Sequence, residues 1–120
     1  MARSTVPATL ARLLGVALVA SGVGLHFMPV QGARLFGISN ATPEMAMFVP
    51  AMGSRNTALG LAVLYMSSSG QKRGVRILLG SLAAIGLADA RLCWASGQTE
   101  GMGVHIINAV LIGVLSWLSP

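Results

Sequence analysis

The stretch GVRILLGSLAAIGLADARLCW, residues 74–94, decides the fold. Its 21 residues are apolar or small almost throughout, and at about 1.5 Å per residue they reach roughly 30 Å, the thickness of a bilayer's hydrocarbon core. The run also carries Asp89 four residues before Cys93, and a charge inside hydrocarbon costs several kcal/mol unless it is paired, hydrated or needed. Residues 74–94 therefore predict a membrane-spanning helix with a chemically conspicuous carboxylate.

Similar runs lie on either side. Residues 8–28 (through LARLLGVALVASGVGLHFM), 48–66 and 102–118 are each near the minimum length for a span. The first has a basic start like that of a signal peptide, but its length favours a retained span. The expected fold class is all-α, a four-span transmembrane helical bundle, with residues 1–120 forming a single transmembrane helical domain. Pro29 closes the first run and Pro50 is tolerated in the first turn of the second. Residues 29–47 form a connection at the membrane interface, with Thr42, Pro43 and Glu44 patterned as the start of a short helix. Ser67–Lys72 and Ala95–Gly101 are turns. Gly15, Gly22 and Gly24, then Gly53 and Gly60, then Gly80, Ala84 and Gly86, supply small faces for close helix packing.

Composition agrees with a membrane protein. The chain is 54% hydrophobic and 9% charged, with a mean hydropathy of +0.75, leaving no charged exterior of the kind a soluble domain needs. The formal net charge of +5 does not make a nucleic-acid surface, because the cations flank apolar runs instead of lining a folded face. Arg3, Arg12, Lys72, Arg73 and Arg76 gather on one side of a four-span arrangement, so the positive-inside rule places the N- and C-termini in the cytoplasm. The localisation expected is integral membrane, multi-pass. Cys93 is the sole cysteine, which rules out an internal disulfide or a thiol pair for redox work.

Four polar residues remain as candidates for chemistry. Counted along each helix from the non-cytoplasmic end, Arg55 lies roughly 10 Å deep, Asp89 roughly 8 Å, His105 roughly 5 Å and Asn108 roughly 9 Å. His26 sits near the same end of the first run. His105 and Asn108, three apart, share a helix face. Arg91 points away from Asp89 and snorkels to headgroups, and Asn56, adjacent to Arg55, points elsewhere. Arg55, Asp89 and His105 are the candidate catalytic residues: Arg55 holds a substrate oxygen, and Asp89 and His105 move a proton. Arg55 and Asn108 are the candidate substrate-binding residues. The competing structural reading is that Arg55 and Asp89 pair only to make each other tolerable and to fix helix register.

No metal site is expected. The two histidines and Asp89 have no ligand spacing, and Arg55 opposes a cation. No cofactor is expected either, since no strand precedes a glycine loop that would cradle a phosphate.

Three segments, GSRNTALGLAVLY (53–65), GLADARLCWASG (86–97) and GMGVHIINAVLIG (101–113), resemble the DUF4267 family of small integral membrane proteins. The ordered set is Gly-x-Arg at Gly53 and Arg55, Asp89 on the third run and His105 on the fourth. The resemblance implies four helices of about this total length. Some fungal relatives lie among genes for natural-product assembly, which implies a small lipophilic substrate. The resemblance carries no mechanism onto these residues.

Together these features lead to a small integral-membrane enzyme or binding protein acting on a lipophilic small molecule or lipid, by cofactor-independent isomerisation, cyclisation or hydration. The alternatives are an accessory or structural membrane protein, associating as a homo-oligomer or with a partner subunit, and a small carrier or exporter.

Overall fold

The fold is seen in a computed structural model, which describes residues 5–119; Arg3, counted above among the cytoplasmic cations, lies outside the described residues. Five α-helices follow in order: α1 (Thr5–Phe27), α2 (Pro29–Phe36), α3 (Val49–Ser68), α4 (Lys72–Ala95) and α5 (Thr99–Leu118), with a short 3-10 helix, η1 (Met45–Phe48), leading into α3. The chain is all-α.

The expected four-span bundle is corrected by this architecture. Among the described residues three helices are both long and apolar enough to cross a membrane: Pro7–Phe27 within α1, α4, and α5. The run at 48–66 is not a fourth. As α3 it has the length, 20 residues, but four consecutive polar residues, Ser54-Arg55-Asn56-Thr57, lower its apolarity, whereas the polar residues past the first turn of α4 and α5 stand singly. The connection at 29–47 is also more ordered than a loop, since it holds α2 and η1.

α3 runs back alongside α1, and the reason is four glycines. Gly15 and Gly22 on α1 face Gly60 and Gly53 on α3. A Cβ at Gly22 would stand 2.5 Å from the Gly53 carbonyl, and one at Gly60 would stand 2.7 Å from that of Gly15. Seven residues separate the glycines on each helix, two turns of a slightly supercoiled pair, so both crossings fall on one seam. The other predicted small positions contribute less. Nothing lies within 4 Å of a Cβ at Gly24, and a Cβ at Gly80 would make only ordinary contact with Ser116 at 3.5 Å. Gly86 does pack closely, against Ala109 of α5.

α4 and α5 form the second pair, tied by the Ser116 hydroxyl donating to the Arg76 carbonyl at 2.8 Å. Gly70 and Gly97 take the left-handed φ values of +71° and +77° that end α3 and α4. Each lets a following N–H, of Gln71 or Gln98, close on the Met66 or Cys93 carbonyl.

The two pairs join at one end and part at the other. Ala11 of α1, Val63 of α3, and Val75, Leu79 and Leu82 of α4 form the larger core, with Leu79 and Val63 fully buried. This core lies toward the Lys72 end, where the described termini also come together: Pro7 and Ala8 share a pocket with Ser119. At the opposite end a smaller core of Ala33, Ala41, Ala46 and Val49 seats α2 and η1 against α1 and α3. The predicted helix start falls later than expected: η1 begins at Met45 with Glu44 as its N-cap, so Pro43 precedes the helix instead of opening it. The Thr42 hydroxyl accepts from Met45 N at 3.4 Å, and the Glu44 carboxyl is held below its ordinary range by its own backbone N–H and then by the Thr42 hydroxyl.

Large apolar side chains such as Leu13, Ile77, Leu111 and Trp117 stand exposed along the outer faces of the long helices. That much apolar surface suits lipid, not water.

Candidate functional site

Where the helix pairs part, a cavity of about 490 Å³ opens. Every α-helix contributes to it. α1 supplies Ser21 and Leu25, and α2 supplies Gln31 and Phe36. α3 supplies Arg55 and Asn56, α4 supplies Asp89, and α5 supplies His105 and Asn108. The volume is within the range of small-molecule sites.

Asp89 and Arg55 meet across the gap between the pairs. Arg55 NH2 lies 3.5 Å from Asp89 Oδ2, with the carboxylate side chain 14% exposed and the arginine 38%. This is an ion pair, longer than an ordinary N–H···O hydrogen bond. The Arg55 Nε is buried and has no hydrogen-bond partner. Arg55 lines the cavity with a side chain that is 38% exposed, so the outer part of its guanidinium can donate to a ligand oxygen there.

His105 is set by its neighbours. Its ring lies against Phe36 of α2, centroids 4.5 Å apart and tilted by 53°. Phe36 is in turn fixed by its carbonyl, which accepts a weak 3.5 Å bond from Cys93 Sγ. Gly101 allows that contact, because a Cβ there would come within 2.6 Å of the Phe36 oxygen. α2 thus bridges from α1 to the α4–α5 turn and holds the imidazole against the cavity wall. Asn108, one turn further on α5, is exposed and lines the same space.

Arg55, Asp89, His105 and Asn108 are accordingly brought together around one cavity. His26 is not among its lining residues: it is exposed and packs edge-on against Phe27. Arg91 is exposed and outside it as well. Asn56 departs from expectation. Although adjacent to Arg55, it too lines the cavity, half-buried, because the opening is wide enough to take two neighbouring faces of α3. Phe36 and Gln31 were not legible as site residues, since α2 reads in sequence as connection. Among the described residues no three His, Cys, Asp or Glu side chains are grouped to hold a metal ion.

The rim is apolar. Met28, Leu35, Met45 and Phe48 border the cavity, and Leu35 and Phe48 are 87% and 72% exposed. Polar groups thus sit at the floor of a space whose edge is fit for lipid.

This is a small all-α, multi-pass integral membrane protein with a polar-floored cavity between two helix pairs. The family described as "Domain of unknown function (DUF4267)" matches residues 15–119, and the chain belongs to it. No curated protein and no solved structure matches the chain.

Proposed function

We infer that this protein is a membrane enzyme or binding protein for a lipophilic molecule that bears at least one oxygen. One observation carries the reading: a single cavity connects the Arg55–Asp89 ion pair to an apolar, lipid-compatible rim. The ligand's oxygen accepts from Arg55, Asn108 orients a second polar group, and the hydrocarbon body lies toward Met28, Leu35, Met45 and Phe48. Asp89 and His105 supply a proton acceptor and donor from the α4–α5 side of the cavity, which is the equipment for isomerisation, cyclisation or hydration without a cofactor.

The accessory-protein reading has one observation of its own: the Arg55–Asp89 contact bridges helix pairs that otherwise touch little at this end. A tie and a site are compatible, since a ligand that engages Arg55 also engages the tie. The uneven distribution of cations favours the Lys72 end, with the described termini, in the cytoplasm.

The test is native mass spectrometry of protein extracted from its own membranes, followed by identification of what copurifies. A lipophilic, oxygen-bearing compound is expected on the wild type and not on Arg55→Gln or Asn108→Ala protein of unchanged helicity. If that compound is turned over, Asp89→Asn should slow the reaction by about 100-fold or more. Equal recovery of the compound from all three proteins would overturn the site.

A further inference from the structure

The formal charges are segregated along the molecule. Around the cavity end, Arg34, Arg55 and Arg91 are balanced by Glu44, Asp89 and Glu100, which are all the acidic residues of the chain. At the Lys72 end stand Arg12, Lys72, Arg73 and Arg76, and no carboxylate side chain lies there among the described residues. Among the described residues these four cations have no carboxylate side chain beside them, so they repel one another, and an external anion relieves this.

The same end contains a second, smaller pocket of about 90 Å³, where the start of α1, the end of α3, the start of α4 and the end of α5 meet. Lys72 and Ser67 both line it. Arg12 is drawn to its edge, where its NH2 donates to the Ser67 carbonyl at 3.3 Å. The Ser67 hydroxyl is buried and has no partner. An unsatisfied buried hydroxyl is costly, so a small shift of the pocket wall that lets its proton reach an acceptor in the pocket is favourable. The neighbouring serine does not compete for it, because the Ser119 hydroxyl already donates to Leu115 O at 2.7 Å.

We propose that this pocket binds a phosphate group, that of an anionic lipid headgroup, with Ser67 donating to a phosphate oxygen and Lys72 and Arg12 neutralising its charge. Arg73 and Arg76 extend the positive field around it. The pocket lies at the opposite end from the cavity and does not depend on what the cavity binds. Its position at the ends of spanning helices is where headgroups lie.

The experiment uses the full chain in detergent with defined lipid, read by native mass spectrometry and by thermal midpoint. Phosphatidylglycerol should be retained in preference to phosphatidylcholine. Lys72→Gln and Arg12→Gln should each lower that retention by about fivefold. Ser67→Ala should lower it while leaving the lipid-free midpoint unchanged or raised, since the buried hydroxyl has no protein partner to lose. Inorganic phosphate is the control for the source of the anion. Phosphatidylglycerol that survives millimolar phosphate supports a headgroup. Phosphate that raises the midpoint and displaces the lipid keeps the anion site but assigns it to a free ion, and overturns the lipid assignment. Equal retention of both lipids with no response to phosphate, or variants that bind as the wild type does, overturns the site.

Discussion

Asp89 is the more enclosed member of its ion pair, and that asymmetry governs what substitution does. Replacing Arg55 alone by leucine leaves a carboxylate that is only 14% exposed without its partner. A fully buried pair broken on one side costs roughly 3–5 kcal/mol, and an exposed one about 0–1. Arg55 is 38% exposed, so the expected loss is about 1–3 kcal/mol. Arg55→Leu combined with Asp89→Leu removes both desolvation penalties and should restore stability to within about 1 kcal/mol of the wild type. Unfolding curves in mixed micelles measure both. The double variant is also expected to fold without retaining the cavity ligand. Full ligand retention by that protein would leave the pair as a helix tie and nothing more.

α1 and α3 are held by shape at their glycine seam. At Gly22 an added methyl would meet the Gly53 carbonyl at 2.5 Å and the Thr57 backbone nitrogen at 2.6 Å, neither of which is a flexible side-chain end. Gly22→Ala should therefore destabilise the protein by about 1–3 kcal/mol, the usual cost of overpacking. Two residues along the same helix, a Cβ at Gly24 meets nothing within 4 Å. Gly24→Ala should be neutral or stabilising by up to about 1 kcal/mol, because alanine is the better helix former. Thermal midpoints of the two variants separate a packing role from general intolerance of change in α1. A similar loss in both would show that the seam is not what Gly22 serves.

For the whole molecule, α4 makes the sharpest topological statement. It is long and apolar enough to cross, and it runs between the glycine turns at Gly70 and Gly97. In a Cys93→Ala background, cysteines introduced by Ser69→Cys and Gly97→Cys should react with an impermeant thiol reagent from opposite sides of sealed vesicles. Reaction of both from the same side would remove α4 as a span. Ser69 and Gly97 are both exposed, so a failure to label does not arise from burial.

All-α class, membrane residence and the α1, α4 and α5 spans were legible in the sequence, because hydrocarbon sets local requirements: unbroken apolar length, and every backbone group bonded within its own helix. The candidates Arg55, Asp89, His105 and Asn108 were legible for a related reason, since a polar residue in an apolar run stands out by its cost. A fourth span does not follow from length alone: residues 48–66 are long enough, but the polar run Ser54–Thr57 takes from them the apolarity that a span needs. What only the tertiary structure decided is how the helices pair. The register that sets Gly15 on Gly60 and Gly22 on Gly53, the parting of the two pairs at one end, and the use of α2 to press Phe36 on His105 all depend on contacts between residues distant in the chain. No local preference encodes such contacts. Asn56 entered the cavity, and His26 stayed out of it, because the width of the gap between helix pairs is a property of their packing and of no single helix.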